Sequence, residues 1–324
     1  MTGAARHDAA PAIAFDPVER SVLVTGATGF IGQTLVRALL GDGHRVVALT
    51  RDKERATRLF DGQVHAIAAM SELPPAHPVD IVINLAGSRI LGQHWTARRR
   101  QALRRSRAGL TDGVVGWIAR AHRKPRLLLS ASAIGYYGVQ PQGDATPLDE
   151  SAPPQPVFMS DLCREWEAAA GAAAQHGVRV ECMRFGLVLG RQGALPMLLL
   201  PIRLGLGGPL GGGRQWLSWI HVDDVVGAIA HRWRHGLAPG VAPGIGASNF
   251  SAPEQLTQAD FSRVAARVLR RPWWLPTPGW PMRLILGAQA DLLLEGQRVA
   301  PARLLREGFV FRYPDLASAL RSLR

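Results

Sequence analysis

Residues 21–32, SVLVTGATGFIG, leave the chain few ways to fold. A β-rich run, Val22 to Val24, meets the turn Gly26-Ala27-Thr28-Gly29-Phe30-Ile31-Gly32. A helical pattern follows at once, with Ile31, Leu35, Ala38 and Leu39 on one face. Gly41–Gly43 ends that helix and HRVVALT makes a second strand, so residues 21–52 predict a strand–helix–strand unit. A glycine turn in that place lets the backbone approach a pyrophosphate, and the helix N-terminus offers unpaired N–H groups and positive potential. The same residues would also make a tight turn with no ligand. The position at the start of the sheet, with a second strand ending at the right distance, favours a dinucleotide lined by Gly26, Thr28, Gly29, Phe30, Ile31 and Gly32.

The rest of the chain repeats the alternation. A weaker helix at 53–60 precedes a buried strand in VDIVINLAG (79–87), a helical segment at 96–121 and a buried strand in PRLLLSAS (125–132). A helix at 158–176 and a strand in GVRVECMRFGLVLG (177–190) follow. Continuous apolar strands separated by helices mean a parallel sheet covered on both faces. The expected fold is therefore α/β, a Rossmann-type doubly wound parallel sheet with a smaller C-terminal α+β substrate lobe. The expected organisation is a disordered tail over 1–20, a nucleotide-binding domain over 21–185 and a smaller lobe over 186–324. Part of 215–235 returns to the first domain. Residues 190–214 read as a Gly/Pro-rich loop or short helix, and SWIHVDDVVGAIAHRW (218–233) as a short strand leading into a helix.

Composition narrows the function classes. The greasiest stretch, 194–210, is cut by Pro196, Pro201, Arg203 and several glycines, well short of the ~18–20 clean apolar residues a membrane span needs. No continuous apolar segment marks the N-terminus as a signal peptide. Cys163 and Cys182 are the only cysteines, which points to a reducing cytoplasm and supplies no disulfide or metal framework. The net charge of +13 comes almost wholly from dispersed arginines, since Lys53 and Lys124 are the only lysines. The dense run ARRRQALRRSR (97–107) spreads its arginines over several faces of a helix, and no nucleic-acid-binding module accompanies it. Neither nucleic acid nor a membrane is an expected partner.

The end of the second strand chooses the cofactor. A carboxylate there would accept both hydroxyls of an NAD ribose, whereas this chain has Thr50-Arg51, and a guanidinium suits a 2′-phosphate. Asp52 is adjacent and would face the ribose if the register were one residue out. The sequence favours NADP(H) over NAD. Asn84-Leu85-Ala86-Gly87 closes a later strand where adenine or the second ribose would lie, which adds Leu85, Ala86 and Gly87 to the cofactor site.

These residues resemble the extended short-chain dehydrogenase/reductase superfamily, the group that includes sugar-nucleotide epimerases. TGATGFIG, the NLAG turn, the stretch from SAS to YYG at 130–138 and SWIHVDD (218–224) stand in the expected order. A closer likeness is to the YfcH-type "epimerase family" proteins. It is carried by GSRILGQHWTARRRQALRRSRAGLTDGVV (87–115), SASAIGYYG (130–138), LCREWEAAA (162–170), RFGLVLGRQGALPML (184–198) and GLGGPLGGGRQWLSWIHVDD (205–224). The region 271–319 is similar to that family's small C-terminal domain, here about 270–320. The resemblance implies NADP(H) binding and a lobe closing over a substrate cleft. It does not imply a settled reaction, because the group is atypical and lacks the usual active-site residues. One departure is Ser88, where the family usually carries an acid after its Leu-Ala-Gly turn.

Typical superfamily members use a Tyr for proton transfer and a Lys four residues later. Here the tyrosines are Tyr136, Tyr137 and Tyr313, followed four residues on by Gln140, Pro141 and Ala317. On the helix that would carry the pair, Phe158 or Met159 replaces Tyr and Leu162 or Cys163 replaces Lys. Ser132 is the candidate substrate-facing hydroxyl, with Ser130 the alternative. Tyr136 and Tyr137 are candidate general acids, but a phenol of pKa ~10 needs a nearby positive charge to act near neutrality. Arg184, also assigned to the cofactor site, or Arg214 would supply it. Cys163 reads as a packed small residue, and Glu165 and Glu167 as solvated or ion-paired.

His221, Arg214 and Trp216 are the candidate substrate contacts. His221 lies at a strand-to-helix corner whose acids Asp223 and Asp224 suit helix bracing. Arg214, Gln215 and Trp216 lie in the glycine-rich loop 205–219, which serves equally as a ligand-reading loop or an irregular connection. Two functions follow: an NADP(H)-dependent oxidoreductase or epimerase-like enzyme acting on an unknown small molecule, or a non-catalytic NADP(H)-dependent sensor for a protein partner.

Overall fold

A computed structural model describes residues 13–90, 94–280, 284, 287–290 and 294–324. Residues 1–12 of the expected tail, and parts of the 87–115 and 271–319 stretches, lie outside the described residues. The frame is a seven-stranded sheet in which every pairing is parallel. Its strands are β1 (Ser21–Thr25), β2 (Arg45–Leu49), β3 (Val64–Ile67), β4 (Ile81–Asn84), β5 (Leu127–Ala133), β6 (Arg179–Phe185) and a last strand, Gly244–Phe250. From one edge to the other the order is last strand, β6, β5, β4, β1, β2, β3.

The apolar runs explain the two covered faces. Val22 and Val24 of β1 enter one hydrophobic cluster and Leu23 enters the other, because successive side chains alternate across the sheet. The first cluster takes Leu35, Val36 and Leu39 of α1 (Phe30–Gly41), together with Val225, Ile229 and Trp233 of the helix Val222–Gly236. The second takes Val114, Trp117 and Ile118 of α4 (Leu110–Arg120). Helix α2 (Lys53–Leu59) follows β2. The predicted helix 96–121 is real but interrupted: α3 (Ala97–Arg104) leads through a π-turn at Arg105–Gly109 into α4. Helix α5 (Phe158–Gly171) tightens into a 3₁₀ turn over Ala172–His176.

Two expectations need adjustment. Residues 13–20, read as part of a disordered tail, are anchored: Phe15 is fully buried, edge-on to Trp233 at 5.4 Å, and its N–H donates to Asp42 Oδ2 at 2.7 Å. The segment returning to the nucleotide domain also runs further than 235, since Gly244–Phe250 pairs with β6 along its whole length. The smaller region has its own core, which includes Leu195, Leu199, Trp219, Phe261, Leu316 and Leu320. Short pairings brace it, Leu187–Leu189 parallel with Trp219–His221 and Trp216–Leu217 antiparallel with Leu256–Thr257.

Candidate functional site

The strand order reverses at β1, which lies between β2 and β4, and ligands of open α/β sheets bind beyond the strand ends at such a point. There the two predicted turns meet. Gly26 adopts φ +68°, and a Cβ on it would come within 3.0 Å of the Leu85 carbonyl carbon and 3.1 Å of the Ala86 nitrogen. Thr25 Oγ1 donates to Asn84 Oδ1 at 2.6 Å and accepts from the N–H groups of Leu85 and Ala86, both at 3.1 Å. Asn84 in turn donates to Thr111 and Ser130. One buried polar knot therefore ties both turns to the sheet.

Gly32 explains the spacing of the glycine turn. A Cβ there would lie 2.2 Å from the Gly26 carbonyl oxygen, so only glycine lets α1 start this close to the turn. Gly29, the N-cap of α1, supplies no side-chain acceptor to the first N–H groups. Thr28 Oγ1 lies 3.3 Å from Thr50 Oγ1, linking the turn to the end of β2, where Arg51 is exposed. Asp52 is committed elsewhere: its carboxylate caps α2 by accepting from the Arg55 N–H at 2.8 Å. Ile31 faces inward, whereas the ring of Phe30 packs against Gly190 and Gly193 in another loop.

Beside the turns opens a cavity of ≈ 180 Å³, lined by Ile31, Leu85 and Gly87 from the two glycine turns and by Ser132, Met159 and Cys163. Arg107, Leu162, Trp166 and Phe185 complete much of its wall. Met159 and Cys163 thus occupy the helical face expected to carry Tyr and Lys. Burial pushes the Cys163 thiol up to about 12, so it stays protonated and serves as packing.

One turn further along α5, on the same face, stands Glu167. Ser132 Oγ donates to Glu167 Oε1 at 2.7 Å. Arg184 grips the same carboxylate with Nε at 2.8 Å and Nη2 at 2.9 Å, and its Nη1 donates to the Tyr137 hydroxyl at 3.0 Å. Tyr137 donates onward to Asn249 Oδ1 at 2.7 Å. Register explains the row, because Ser132, Arg184 and Asn249 are aligned across β5, β6 and the last strand.

The predicted residues therefore separate. Ser132 lines the cavity, while Ser130 is fully buried and accepts from Asn84. Tyr137 is buried, and desolvation pushes its hydroxyl up to about 12 despite the neighbouring Arg184, which makes it a firm donor and a poor acid. Tyr136 lies under the Arg184 guanidinium, with Cζ 3.4 Å from its ring centre. Arg184 makes four hydrogen bonds, to Glu167, Tyr137 and the Glu150 carbonyl. Phe158 stacks under Arg100 and Arg104, and Glu165 pairs with Arg104.

The three substrate candidates are not brought to this cavity. Arg214 is exposed, and Trp216 donates to the Asp144 carbonyl at 2.7 Å under the Arg298 guanidinium. His221 caps the helix Val222–Gly236, lies tilted against the Tyr313 ring at 4.0 Å and lines a separate cleft with Phe30, Arg37 and Arg191. Burial depresses its pKa to about 4. His231, His235 and Glu307 bring ligand-type atoms within 4.8 Å of one another, but Glu307 is already held by Arg232 and Arg303. The sequence reads Glu167 as solvated or ion-paired, and its pair is Arg184; its bond to Ser132, and the places of Asn249 and Arg107, are not foreseen there. Only the four-residue steps Met159–Cys163–Glu167 along one helix face could have pointed to the first of these.

The comparisons agree with this geometry. Residues 22–241 match the model of the NAD dependent epimerase/dehydratase family, and residues 277–323 match a domain of unknown function, DUF1731. An Arabidopsis thaliana protein named epimerase family protein SDR39U1 homolog, chloroplastic, is 38% identical over 312 residues, covering 94% of this chain and 87% of that one. The Bacillus subtilis epimerase family protein YfhF is 36% identical over 307 residues, covering 94% and 97%. The crystal structure of human epimerase family protein SDR39U1 (isoform2) with NADPH superposes with a TM-score of 0.81 at 33% identity, covering 94% of this chain and 98% of that one. Among the described residues no helix is long and apolar enough to cross a membrane. With the sheet, the paired turns and the full-length relatives in agreement, the chain belongs to the NAD dependent epimerase/dehydratase family, within its group of atypical epimerase family proteins.

Proposed function

We propose that this protein is an NADP(H)-dependent oxidoreductase of epimerase-like type, in which Ser132 backed by Glu167 stands in for the Tyr/Lys pair. The observation that carries this reading is the 2.7 Å bond from Ser132 to Glu167 at the wall of a cavity that adjoins both nucleotide turns. The site fits a dinucleotide: Gly26 and Gly32 hold a cradle that any Cβ would fill, and the α1 N-terminus carries no side-chain cap. Arg51 is free of the carboxylate next to it, since Asp52 caps α2, and a relative of the same fold was crystallised with NADPH. Gly26, Thr28, Gly29, Ile31, Gly32, Leu85, Ala86 and Gly87 would hold the nucleotide, with Arg51 at its 2′-phosphate.

Bound NADP(H) supplies a hydride acceptor or donor. The protein's part is the proton. Ser132 donates its hydrogen bond to Glu167, so its lone pairs are left to accept from a substrate hydroxyl. As that hydroxyl becomes a carbonyl, its proton passes to Ser132 Oγ while the serine proton moves to Glu167. Arg184 fixes the carboxylate in place, and Tyr137 and Asn249 fix Arg184.

The test is NADPH or NADP⁺ turnover across a broad library of small alcohols and carbonyl compounds. Ser132→Ala should lower kcat by about 10²-fold or more while leaving NADPH affinity within about twofold. Wild-type rates in that variant would overturn the serine's role. The second reading, a non-catalytic NADP(H) sensor, draws on the apolar Met159 and Cys163 at the usual proton-transfer positions. It expects NADPH binding without turnover of any compound, and a protein partner held only in one cofactor state.

A further inference from the structure

The most unusual side chain in the cavity is one the proton path does not use. Arg107 is 6% exposed and lines the same cavity as Ser132. Among the described residues no carboxylate pairs with it. Its Nη2 donates to the Ser88 carbonyl at 2.9 Å, its Nη1 makes a long bond to Ser106 Oγ at 3.4 Å, and its Cζ lies 5.3 Å from the Trp166 ring centre. Desolvation, the main influence on it, lowers its pKa, the direction expected of a cation without a counter-ion.

Burying an unpaired guanidinium costs several kcal/mol, and here the backbone goes out of its way to do so. The π-turn at Arg105–Gly109 inserts an extra residue into the 97–120 helix at this point, a device frequent at functional sites. Gly87 leaves room for the group, since a Cβ there would lie 3.4 Å from the guanidinium carbon. The other buried arginines have anions: Arg184 has Glu167, and Arg232 has Glu181 and Glu307.

We infer that Arg107 is the anchor for an oxyanion of the substrate, a carboxylate or phosphate borne close to the reacting carbon. This rests on the cavity being the substrate pocket of the enzyme proposed above. Arg107 pairs with such a group bidentately, completing the charge balance that the protein itself lacks. The substrate class is then a small anionic hydroxy or oxo compound, placed with its hydroxyl at Ser132. A nucleotide phosphate has the same chemistry, so the experiment separates the two sources.

The experiment titrates oxalate, and oxamide as its neutral isostere, into the NADP⁺-loaded protein by calorimetry, alongside NADP⁺ titrations of the same variants. Wild type should bind oxalate at least about tenfold more tightly than oxamide. Arg107→Gln should remove that preference, and Arg107→Lys should keep part of it. Ser88→Glu leaves Arg107 in place but offers it an internal carboxylate, so it should also lose oxalate about tenfold without an emptied cavity. NADP⁺ affinity should stay within about threefold throughout.

Absence of oxalate binding to wild type, or equal oxalate binding in wild type, Arg107→Gln and Ser88→Glu, would overturn the inference. A tenfold loss of NADP⁺ affinity in Arg107→Gln would also overturn it, by assigning the guanidinium to the nucleotide. Failure of wild type to bind NADP⁺ would sink the nucleotide reading instead, and the oxalate titration on the free protein still decides the arginine.

Discussion

Glu167 shows how little of a site's chemistry a residue type reveals without its neighbours. On the sequence it is one acid among several on an amphipathic helix. In the fold it accepts from Ser132 and, bidentately, from the Nε–Nη2 edge of Arg184. Glu167→Gln leaves the buried Arg184 without a counter-charge, and breaking such a pair costs about 3 kcal/mol. The loss should appear as a lower urea midpoint with an unchanged slope; an unchanged midpoint would mean that the pair is structurally idle. Arg51 is the opposite case, legible because its position at a strand end has one main use. Arg51→Asp should weaken NADPH binding by about 10–100-fold, the worth of a charge-assisted hydrogen bond, while NADH binding holds or improves. Equal losses for both nucleotides would place the 2′-phosphate elsewhere.

The first strand–turn–helix unit was readable in full, because glycine spacing and helical periodicity are local signals. Gly32→Ala tests it: the new Cβ would meet a carbonyl oxygen at 2.2 Å, and such an overlap must push α1 off the turn. The variant should lose NADPH binding by more than tenfold and fold less stably; retention of wild-type affinity would remove the turn from the site.

The helix Val222–Gly236 tests pH. Burial raises Asp224 to about 6 and lowers His221 to about 4. Stability from the raised Asp224 is full below pH ~3.8 and lost as pH rises through about 6. Stability from the depressed His221 is full above pH ~6.5 and lost as pH falls through about 4. The two offset one another between pH 4 and 6. His221→Gln removes one of them, so the variant's unfolding free energy, taken relative to wild type at each pH, should rise by about 2–3 kcal/mol as pH falls across this window. Parallel pH profiles for the two proteins would contradict the assignment. The π-turn in the helix predicted over 96–121 was not legible, since it keeps helical composition and changes only the register.

For the molecule as a whole, the parallel sheet and its two covered faces followed from continuous apolar strands. The late return of Gly244–Phe250 to the sheet edge did not, because GIGASNF has small and polar residues and pairs on one side only. The burial of Phe15 was hidden for a similar reason: a single aromatic in a polar tail carries no period. Arg107, Glu167 and Asn249 come from three distant parts of the chain, and only the strand order brings them towards Ser132. The loop residues Arg214 and Trp216 do not line the cavity, and glycine-rich loops look alike in sequence whether they hold ligands or only connect.

Everything proposed rests on a nucleotide seated between the Gly26 and Leu85 turns. The direct measurement is calorimetric titration of the purified protein with NADPH and with NADH. One site per chain is expected, with NADPH affinity at least about tenfold above that for NADH, the difference one phosphate–guanidinium contact supplies. No binding of either nucleotide, or equal binding of both, would contradict it.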